Sequence, residues 1–425
     1  MNTTTKGKIT TPPEVVVIGA GLSGLVCAQE LSQNGVNVQL LEQSDAVGGR
    51  IRTDEVEGFL LDRGFQVYLD AYTNAGELLD LDALDLKAFE PGAIVFEHKK
   101  RYRLMDVFRR PAHLFVSAVS PIGSLKDKFL IAKLRSILKR SSISEIQSRE
   151  DITTETYLRN FGFSEDIIDR FFRSFYGGIF LEKELKTSSR MFEFTFKMFS
   201  EGSATLPAKG MEKIPRQLAS RLPDNTLRLN TKVVAINGTD VTLASGEKLT
   251  PKHIVLALPS DAAQEQIANL KLPATKWRSV TNCYFAAPHS PLREPIIALS
   301  GNPNSLINNV SVPSDLSADY APTGQSLISV SVLGIHDAEN FLNKVILELQ
   351  DWFGEEVKDW RHLRTDSIAK ALPEQTPDTL KPKSSIDGIS LCGDQQTTTS
   401  IEGAIISGQE TARRLVEKIF SLPDS

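Results

Sequence analysis

The fold of this chain is decided by Glu14-Val-Val-Val-Ile18-Gly19-Ala-Gly21-Leu22-Ser23-Gly24. The β-branched run predicts a short buried strand, and residues 22–34 have helical spacing until Gly35 ends the helix. Residues 37–41 predict a second strand, which ends at Glu42. A strand, a glycine-rich turn, a helix and a second strand in this order are typical of a βαβ unit that binds a dinucleotide.

The turn between strand and helix predicts contacts with a pyrophosphate. Gly19 permits the tight turn, Gly21 lets the backbone approach the phosphates, and Gly24 lets helix and strand pack closely. Unpaired N–H groups at the helix N-terminus, where Leu22 and Ser23 lie, then face the phosphates. Glu42 follows Gly24 by eighteen residues and is placed to accept both ribose hydroxyls. Its charge repels a 2′-phosphate, so the pattern predicts adenosine with a free ribose rather than NADP.

A second glycine motif follows Glu42. Residues 41–53 read LEQSDAVGGRIRT and contain Gly48, Gly49 and Arg50. A glycine pair lets the backbone bend closely past a cofactor, and Arg50 supplies a fixed cation for its diphosphate. This stretch resembles the second half of the FAD fingerprint in the superfamily of flavin-containing amine oxidases, protoporphyrinogen oxidases and phytoene desaturases.

The resemblance implies non-covalently bound FAD. In that superfamily the next strand and turn bring backbone beside the flavin ring. On this basis Gly64, Phe65 and Gln66 are expected to neighbour the isoalloxazine. Residues 206–259 also resemble the superfamily, and the backbone of Val233 is expected to meet the adenine.

The end of the chain contains a further cofactor motif. Residues 389–392 predict a short strand, Gly393 and Asp394 a polar turn, and Ser400 an N-cap for a helix over residues 401–419. Asp394 is suited to hydrogen-bond a ribityl hydroxyl.

Small residues at the start of this helix leave room for a flat ring. They are Gly403, Ala404 and Gly408. With Ile401 at the helix start, they would let the flavin ring come close to the positive end of the helix dipole, which would stabilise the negative charge of a reduced flavin. Residues 392–412 resemble the C-terminal FAD motif of the superfamily, most closely that of plant-type carotene desaturases.

Together the motifs predict an α/β fold, in which a Rossmann-like FAD-binding domain is built from three segments. These segments are residues 1–90, 206–262 and 378–425. An interleaved α+β substrate domain is expected from residues 91–205 and 263–377. Within the latter, residues 279–286 and 326–333 predict strands and residues 337–353 a helix, which suggests a sheet carrying a helix beneath the substrate site.

Phenylalanine is concentrated in one part of the predicted substrate domain. Residues 161–199 hold ten of the 21 phenylalanines of the chain, a density that suits a chamber for a long apolar substrate. The core of a helical subdomain or a dimer interface explains the same density. Ser164 followed by Ile167, Ile168 and Phe171 predicts a capped amphipathic helix, which favours core for part of the cluster.

Charge is unevenly distributed. The chain has 48 Lys and Arg against 53 Asp and Glu, a net charge of −5, yet residues 98–140 hold twelve basic and two acidic residues. Within them, residues 126–140 (KDKFLIAKLRSILKR) predict a helix with Phe129, Leu130, Ala132, Lys133, Leu134, Ile137 and Leu138 largely on one stripe. This segment suits the surface of an anionic membrane, although an ordinary solvated face or a phosphate-binding patch gives the same pattern. The overall acidity disfavours a nucleic-acid partner.

Several other classes of protein are disfavoured. The three cysteines are far apart and the six histidines lack metal-ligand spacing, so neither a disulfide framework nor a metal site is predicted. A second GxGxxG motif is missing, which points to oxygen or a quinone as electron acceptor rather than to a nicotinamide domain. Residues 1–14 lack the apolar run of a secretory signal, and the apolar stretch 111–125 contains two prolines. These features predict a cytoplasmic protein, and the basic segment 98–140 adds a peripheral position on a membrane as an alternative.

The residues and the resemblance together favour an FAD-dependent oxidoreductase that desaturates a carbon–carbon bond of a lipophilic isoprenoid or polyene. Amine oxidases of the superfamily commonly have a cage aromatic where this chain has Ser400 and Ile401, which weakens the rival reading of an amine oxidase. A protoporphyrinogen-type oxidase is the other rival enzyme. A prenyl carrier resembling GDP-dissociation inhibitors is the alternative without chemistry, and it predicts a protein that lacks flavin. No titratable residue stands out as a catalytic base, so the catalytic residues remain unassigned.

Overall fold

The computed structural model describes residues 12–106, 109, 121–267, 270, 272, 274–336, 339–379 and 383–421. The strands are β1 (Val15–Ile18), β2 (Val38–Leu41), β3 (Thr53–Val56), β4 (Phe59–Asp62), β5 (Tyr68–Leu69), β6 (Leu86–Ala88), β7 (Gly92–Glu97), β8 (Lys100–Met105), β9 (Ala204–Pro207), β10 (Leu227–Arg228), β11 (Val233–Asn237), β12 (Asp240–Leu243), β13 (Lys248–Leu249), β14 (His253–Leu256), β15 (Trp277–Ala287), β16 (Ile297–Ser300), β17 (Ile307–Ser311), β18 (Ser326–Leu333), β19 (Arg361–Pro373), β20 (Ser385–Ile386) and β21 (Ile389–Leu391).

The helices alternate with these strands. They are α1 (Leu22–Gln33), α2 (Thr73–Leu78), α3 (Leu81–Leu84), α4 (Leu125–Arg140), α5 (Ile143–Ser148), α6 (Thr154–Phe161), α7 (Glu165–Ile167), α8 (Arg173–Phe180), α9 (Ser189–Glu201), α10 (Lys213–Ala219), α11 (Ser260–Gln266), α12 (Pro313–Leu316), α13 (Phe341–Phe353) and α14 (Ile401–Ser421). A π-helical segment, Ile168–Phe172, joins α7 to α8, and 3-10 segments span Ala318–Tyr320, Gly354–Asp359 and Asp394–Gln396.

A six-stranded sheet forms the first layer, in the order β10-β2-β1-β14-β21-β20. The strands β10, β2, β1, β14 and β21 are parallel, and β20 pairs antiparallel with β21. All four residues of β1 are at most 4% exposed, as expected for a strand covered on both faces. The predicted βαβ unit is confirmed as β1, α1 and β2. Strands from residues 15–41, 227–256 and 385–391 therefore meet in one sheet, while the exact domain limits stay a prediction.

Small residues let α14 pack directly on α1. A Cβ added to Gly408 would lie 2.7 Å from the carbonyl oxygen of Ser23 and 2.9 Å from Cβ of Val26. A Cβ on Gly24 would lie 1.9 Å from the carbonyl oxygen of Gly19. The close packing predicted for Gly24 is thus confirmed, and Gly408 plays the same part between the two helices.

A seven-stranded sheet forms the other large layer, in the order β19-β15-β18-β17-β16-β7-β8. Neighbouring strands are antiparallel except for the parallel pair β16 and β7. Helix α13 covers one face with a buried cluster that includes Phe341, Val345 and Trp352. This arrangement matches the expected sheet carrying a helix, although α13 begins at Phe341 and residues 337–338 lie outside the described part of the chain.

The phenylalanine-rich segment serves two purposes. Phe163, Phe172 and Phe192 are at most 5% exposed and pack against one another in the helical core. Other members of the segment are only partly buried, and they face a cavity that is described below: Phe171, Phe175, Phe196 and Phe199. Both the core and the chamber interpretation therefore hold for part of the segment.

The apolar side chains of helix α4 are only partly covered by the core. A capping box of Ser124 and Asp127 begins the helix. Leu130, Leu134 and Leu138 are buried, whereas Phe129 is 69% exposed and Ile137 is 38% exposed. The core therefore covers only the i, i+4, i+8 positions of the predicted stripe and leaves two of its other apolar residues, Phe129 and Ile137, in solvent.

The described residues contain neither a membrane-spanning helix nor a metal-ligand cluster. None of the described helices is long and apolar enough to cross a bilayer. No cluster of three or more His, Cys, Asp or Glu side chains with the geometry of a metal site occurs among the same residues.

The packing of α14 on α1 gives a stability prediction. We expect Gly408→Ala to lower the free energy of unfolding by about 1–3 kcal/mol, because the added methyl group meets backbone and Val26. The matched control is Gly76→Ala in α2, where a Cβ has nothing within 4 Å. This control should be neutral or stabilising by up to about 1 kcal/mol. Urea unfolding of both variants checks the prediction, and equal stability of the two would contradict it.

Candidate functional site

A cavity of about 1490 Å³ lies where strands of the first sheet end. Its lining includes Gly19 after β1, Glu42 after β2, Ala257 after β14 and Gly393 after β21. Ligands of open parallel sheets bind at this edge, where helix N-termini and loops converge.

Most residues that the sequence predicts for the cofactor share this one cavity. Its lining contains Gly19, Gly21, Leu22, Ser23, Glu42, Gly48, Gly49, Arg50, Gly64, Phe65, Gln66, Gly393, Asp394, Ser400, Ile401 and Ala404. Gly24 instead packs behind the turn, and Val233 begins β11 at 2% exposure without lining the cavity. The contact of Val233 with adenine remains a prediction.

The first glycine turn has the geometry of a phosphate cradle. Gly19 has φ +103°, and a Cβ there would lie 2.7 Å from the carbonyl oxygen of Ala257. A Cβ on Gly21 would meet no atom within 4 Å and would project into the cavity. Gly21 is also the N-cap of α1 and offers no capping side chain. The open side of Gly21 and the N–H groups of the first helical turn fit a pyrophosphate.

Glu42 is held rigidly at the end of β2. Its Oε2 accepts a hydrogen bond of 2.8 Å from the amide of Ala20. Its Oε1 accepts 2.9 Å and 2.7 Å bonds from the amide and hydroxyl of Ser44. Because a carboxylate has about four acceptor positions and these three bonds fill both positions on Oε1, one position on Oε2 remains, which suits one of the two ribose hydroxyls that the sequence assigns to Glu42.

The second glycine motif lies against the first. Gly48 and Gly49 have φ values of +108° and +60°, a conformation that favours glycine. The amide of Gly48 donates to the carbonyl oxygen of Ala20 at 2.8 Å, and a Cβ on Gly49 would stand 3.5 Å from Cα of Gly21. The two motifs thus form adjacent walls of one narrow channel.

Arg50 and Asp394 form an ion pair that sequence reasoning missed. Nη2 of Arg50 donates to Oδ1 of Asp394 at 2.5 Å, and the guanidinium lies 5.6 Å from the ring centroid of Trp277. The Asp394 side chain is 7% exposed and that of Arg50 36%. The sequence assigned these residues to separate parts of FAD, the diphosphate and the ribityl chain. The ion pair joins the motif that contains Arg50, near the start of the chain, to the motif that contains Asp394, near its end.

The loop after β4 forms the next part of the lining. Gly64 has φ +84°, and a Cβ there would lie 3.0 Å from Cδ1 of Ile368. Nε2 of Gln66 donates to the carbonyl oxygens of Arg50 and Arg63 at 2.9 and 3.2 Å. The loop is therefore fixed between the Arg50 segment and β19.

A buried carboxylate just before this loop, Asp62 at the end of β4, ties β4 to β3 and to β15 of the seven-stranded sheet. Asp62 accepts hydrogen bonds from the hydroxyls of Thr53 and Tyr320 at 2.5 and 2.8 Å and from the amide of Met211 at 2.9 Å. The hydroxyl of Tyr284 donates to the carbonyl oxygen of Asp62. Burial raises the pKa of Asp62 to about 6, because removal of water penalises its charged form.

The start of α14 confirms the predicted cap. The hydroxyl of Ser400 accepts from the amide of Gly403 at 2.9 Å, and α14 begins at Ile401. Sequence reasoning missed Glu402, which is 4% exposed. Its carboxylate accepts 2.9 Å bonds from the amides of Asn74 and Ala75 at the start of α2, which fixes the position of α14.

Strand β19 supplies lining residues that no motif had indicated. Residues 364–372 of β19 all contact the cavity, as does Trp277 of β15. The segment carries no glycine pattern and has charged residues at several positions. Its role follows only from its antiparallel pairing with β15.

The residues present fit FAD. Glu42, the glycine turns, the Arg50 and Asp394 pair and the loop of Gly64 to Gln66 all line a single cavity. Each has the chemistry that one part of FAD requires: an acceptor for the ribose, open backbone and a cation for the diphosphate, an acceptor for the ribityl chain, and close backbone for the ring.

Comparisons with known proteins agree with this fit. The sequence model of a family described as flavin containing amine oxidoreductase matches residues 22–416. Protoporphyrinogen oxidase 2 of Arabidopsis thaliana is 32% identical over 168 residues, which are 39% of this chain and 32% of that protein. The match therefore spans about a third of that relative's length. The 15-cis-phytoene desaturase of Capsicum annuum is 23% identical over 467 aligned positions, covering 96% of this chain and 78% of the relative.

Solved structures share the fold. A putative protoporphyrinogen oxidase from Exiguobacterium sp. 255-15 has a TM-score of 0.73 at 16% identity, covering 96% of this chain and 99% of that one. Cyclohexylamine oxidase from Brevibacterium oxydans IH-35A has a TM-score of 0.68 at 17% identity, covering 96% of this chain and 100% of the other. At these identities the comparison establishes the α/β architecture and leaves the substrate open.

The geometry of the adenosine end gives a prediction for FAD affinity. We expect Gly21→Ala to weaken FAD binding at least about tenfold while the FAD-free protein keeps its stability, because the methyl group enters the cavity. Glu42→Ala should also weaken binding through loss of the ribose acceptor. Gly76→Ala, the same change outside the cavity, is the control. Titration of FAD-free protein with FAD measures all three, and unchanged affinity in both site variants would refute the placement of the adenosine.

Proposed function

Since the chain belongs to the family of flavin containing amine oxidoreductases, we propose that it dehydrogenates a carbon–carbon bond of a lipophilic substrate of isoprenoid or polyene type. Family membership confirms the prediction of an FAD-dependent oxidoreductase. The substrate and the electron acceptor are our proposals.

An apolar arm of the cavity carries the proposal. The arm continues from the loop of Gly64 to Gln66 into the helical part of the chain, and it is lined by Ile131, Phe171, Phe175, Ile179, Met191, Phe194, Phe196 and Phe199. Burial of an apolar chain against these side chains stabilises the complex by about 25 cal/mol per Å² of apolar surface removed from water. An ammonium group placed against these apolar side chains would lose its hydration, and carboxylates elsewhere in the lining, such as Asp106 and Asp366, are already paired with arginines.

The residues around the arm would perform three tasks. The phenylalanines orient the reacting C–H bond towards the Gly64 loop and exclude water. The N-terminus of α14 lines the cavity, and the positive end of its dipole would stabilise the negative charge of a reduced flavin. FAD, when bound, would take up the two electrons and two hydrogens that the substrate loses and would pass the electrons to an acceptor, for which we propose oxygen or a quinone.

The rival readings have less support. L-amino acid oxidase Bs29 of Bothriechis schlegelii is 26% identical over 298 residues, covering 64% of this chain and 58% of that protein, so an amine substrate stays the second candidate. Ser400 and Ile401 line the cavity where amine oxidases commonly have a cage aromatic, which favours the lipid. The matched family consists of oxidoreductases, which disfavours a prenyl carrier.

Helix α4 lies at the rim of the cavity and suggests how such a substrate arrives. Lys128 and Ile131 line the cavity from one side of the helix. Leu125, which also lines the cavity, is 74% exposed, and Phe129 one turn further along the helix is 69% exposed, with Lys126 and other exposed cations nearby. We propose that this face rests on an anionic membrane surface and receives the substrate from it.

The substrate class is tested by anaerobic reduction. We expect a total isoprenoid lipid extract, added to the FAD-loaded protein without oxygen, to bleach the visible flavin absorbance, whereas an amine mixture leaves it unchanged. Bleaching by amines alone would overturn the proposal in favour of an amine oxidase. Isolation of the protein without any flavin would restore the carrier hypothesis.

The membrane face is tested by vesicle sedimentation. We expect the double variant Leu125→Ser and Phe129→Ser to lower binding to phosphatidylcholine–phosphatidylglycerol vesicles by about tenfold or more, because both side chains lose their apolar contact. Charge reversal at Lys126, Lys133 and Lys139, all exposed, should act similarly. Arg135 is unsuitable because it is paired with Asp106.

The control for this test is Leu347→Ser with Phe420→Ser. Both side chains are 65% exposed and lie on other helices, so vesicle binding should stay unchanged. If the α4 variants and the control bind equally, helix α4 is an ordinary solvated face.

A further inference from the structure

The face of the seven-stranded sheet opposite α13 carries an unusual row of polar residues. Asn282 of β15, Ser331 of β18 and Asn309 of β17 stand directly opposite one another across three adjacent strands. All three are at most 3% exposed. The face covered by α13 is apolar at the neighbouring positions, such as Cys283 and Val330. Buried polar groups are costly unless they have partners, so each needs an explanation.

Most of this row is internally satisfied. Nδ2 of Asn282 donates to the hydroxyl of Ser329 at 3.0 Å, and the hydroxyl of Ser331 donates to Oδ1 of Asn282 at 2.8 Å. Asn309 is different. Its Oδ1 accepts a 3.0 Å bond from Nδ2 of Asn308, while its own Nδ2 has no hydrogen-bond partner among the described residues. At 2% exposure, water gives Asn309 little compensation for a missing partner.

The backbone holds this amide in one orientation. The pairing of β17 with β18 shifts register between Ile307 and Asn309, so Asn308 is an extra residue at a bulge. Nδ2 of Asn308 also donates to the carbonyl oxygen of Ser174 at 3.0 Å. A Cβ on Gly178 would stand 2.7 Å from Nδ2 of Asn308, so α8 and β17 are closely packed here. With Oδ1 of Asn309 engaged by Asn308, Nδ2 is the group left to donate.

Asn309 lines the same cavity as the apolar arm. Its neighbours in the lining include Leu299 on β16, which pairs with Asn309, and the nearby Val280 and Leu333. Ser331 also lines the cavity but is paired with Asn282, and Oδ1 of Asn308, which likewise has no partner among the described residues, belongs to a residue outside the lining. An unpartnered donor beside apolar side chains is an arrangement by which pockets fix the orientation of a ligand.

We propose that Nδ2 of Asn309 donates a hydrogen bond to an oxygen of the substrate, so that the substrate is an oxygenated isoprenoid rather than a pure hydrocarbon. This inference rests on the lipophilic substrate proposed above and narrows it. An ammonium group brings only donors, which cannot pair with Nδ2. A carbonyl, ether or hydroxyl oxygen can accept from it, and this contact fixes which carbon–carbon bond of a long chain reaches the Gly64 loop.

The test compares two ligands that differ in one atom. Geranylgeranylacetone carries a ketone, and its hydrocarbon analogue has a methylene group in place of the carbonyl oxygen. Both are delivered from cyclodextrin to the anaerobic FAD-loaded protein, and dissociation constants are read from the change in the flavin spectrum. We expect the wild-type protein to bind the ketone about tenfold more tightly, which corresponds to about 1.4 kcal/mol.

Two substitutions remove the donor in different ways. Asn309→Leu replaces the amide by an apolar group of similar size, and Asn309→Asp keeps the acceptor for Asn308 but has no N–H. Both should reduce the preference for the ketone to about onefold or below. Leu299→Val is the control, since it enlarges the same part of the cavity without touching a polar group and should leave the preference unchanged.

The outcomes separate the two proposals. Equal binding of both ligands by the wild-type protein, or a ketone preference that survives in both Asn309 variants, overturns the role of Asn309 and leaves the lipophilic site standing. If neither the ketone nor the hydrocarbon changes the flavin spectrum, both the lipophilic substrate and the role of Asn309 are overturned.

Discussion

The parallel ladder on both sides of β1 is the constraint on which the rest of the structure depends. Val15 pairs with Val38 on one side and with His253 on the other, and β14 in turn pairs with β21. Segments that are far apart in the chain thus end their strands at one edge. Because each strand is followed by a turn at that edge, the glycine turns, Glu42 and Asp394 come together without any direct sequence relation between them. Loss of this ladder would disperse the site, whatever the chemistry of its residues.

The second requirement for assembling the site is the close approach of backbone segments. Gly24 and Gly408 permit α1 to lie against the β1 turn and α14 against α1, which aims both helix N-termini at the cavity. The Arg50 and Asp394 ion pair then joins the motif after β2 to the motif after β21. An ion pair that is partly exposed contributes little to stability. We propose that its value lies in holding Arg50 as a cation for the diphosphate and Asp394 as an acceptor for the ribityl chain.

What the sequence could predict was local. The βαβ unit, the Ser400 cap and the crowding at Gly24 each follow from a short pattern whose physical cause lies within a few residues. Contacts between distant segments had no such signal. The carboxylate of Glu402 caps α2, and Asp62 gathers donors from Thr53, Met211 and Tyr320. Either acid looks like an ordinary charged residue in sequence. The extent of burial on α4 had no signal for a related reason, since periodicity shows which residues are apolar but not how many of them a neighbouring element covers.

The cavity has two chemically distinct walls, and they limit what it can hold. The helical wall of phenylalanines selects for apolar surface but offers little directional control, since dispersion contacts permit a long chain to slide. The sheet wall offers the opposite, because a hydrogen bond from Asn309 has a fixed length and angle. Dehydrogenation of one particular bond requires both properties, affinity from the first wall and register from the second. A substrate with no oxygen would leave Nδ2 of Asn309 unpaired in the complex, as it is in the free protein, and would lack the gain of about 1–3 kcal/mol that an acceptor for this buried donor provides. The bulge that creates the Asn308 and Asn309 pair is therefore best explained by a ligand that supplies the missing acceptor.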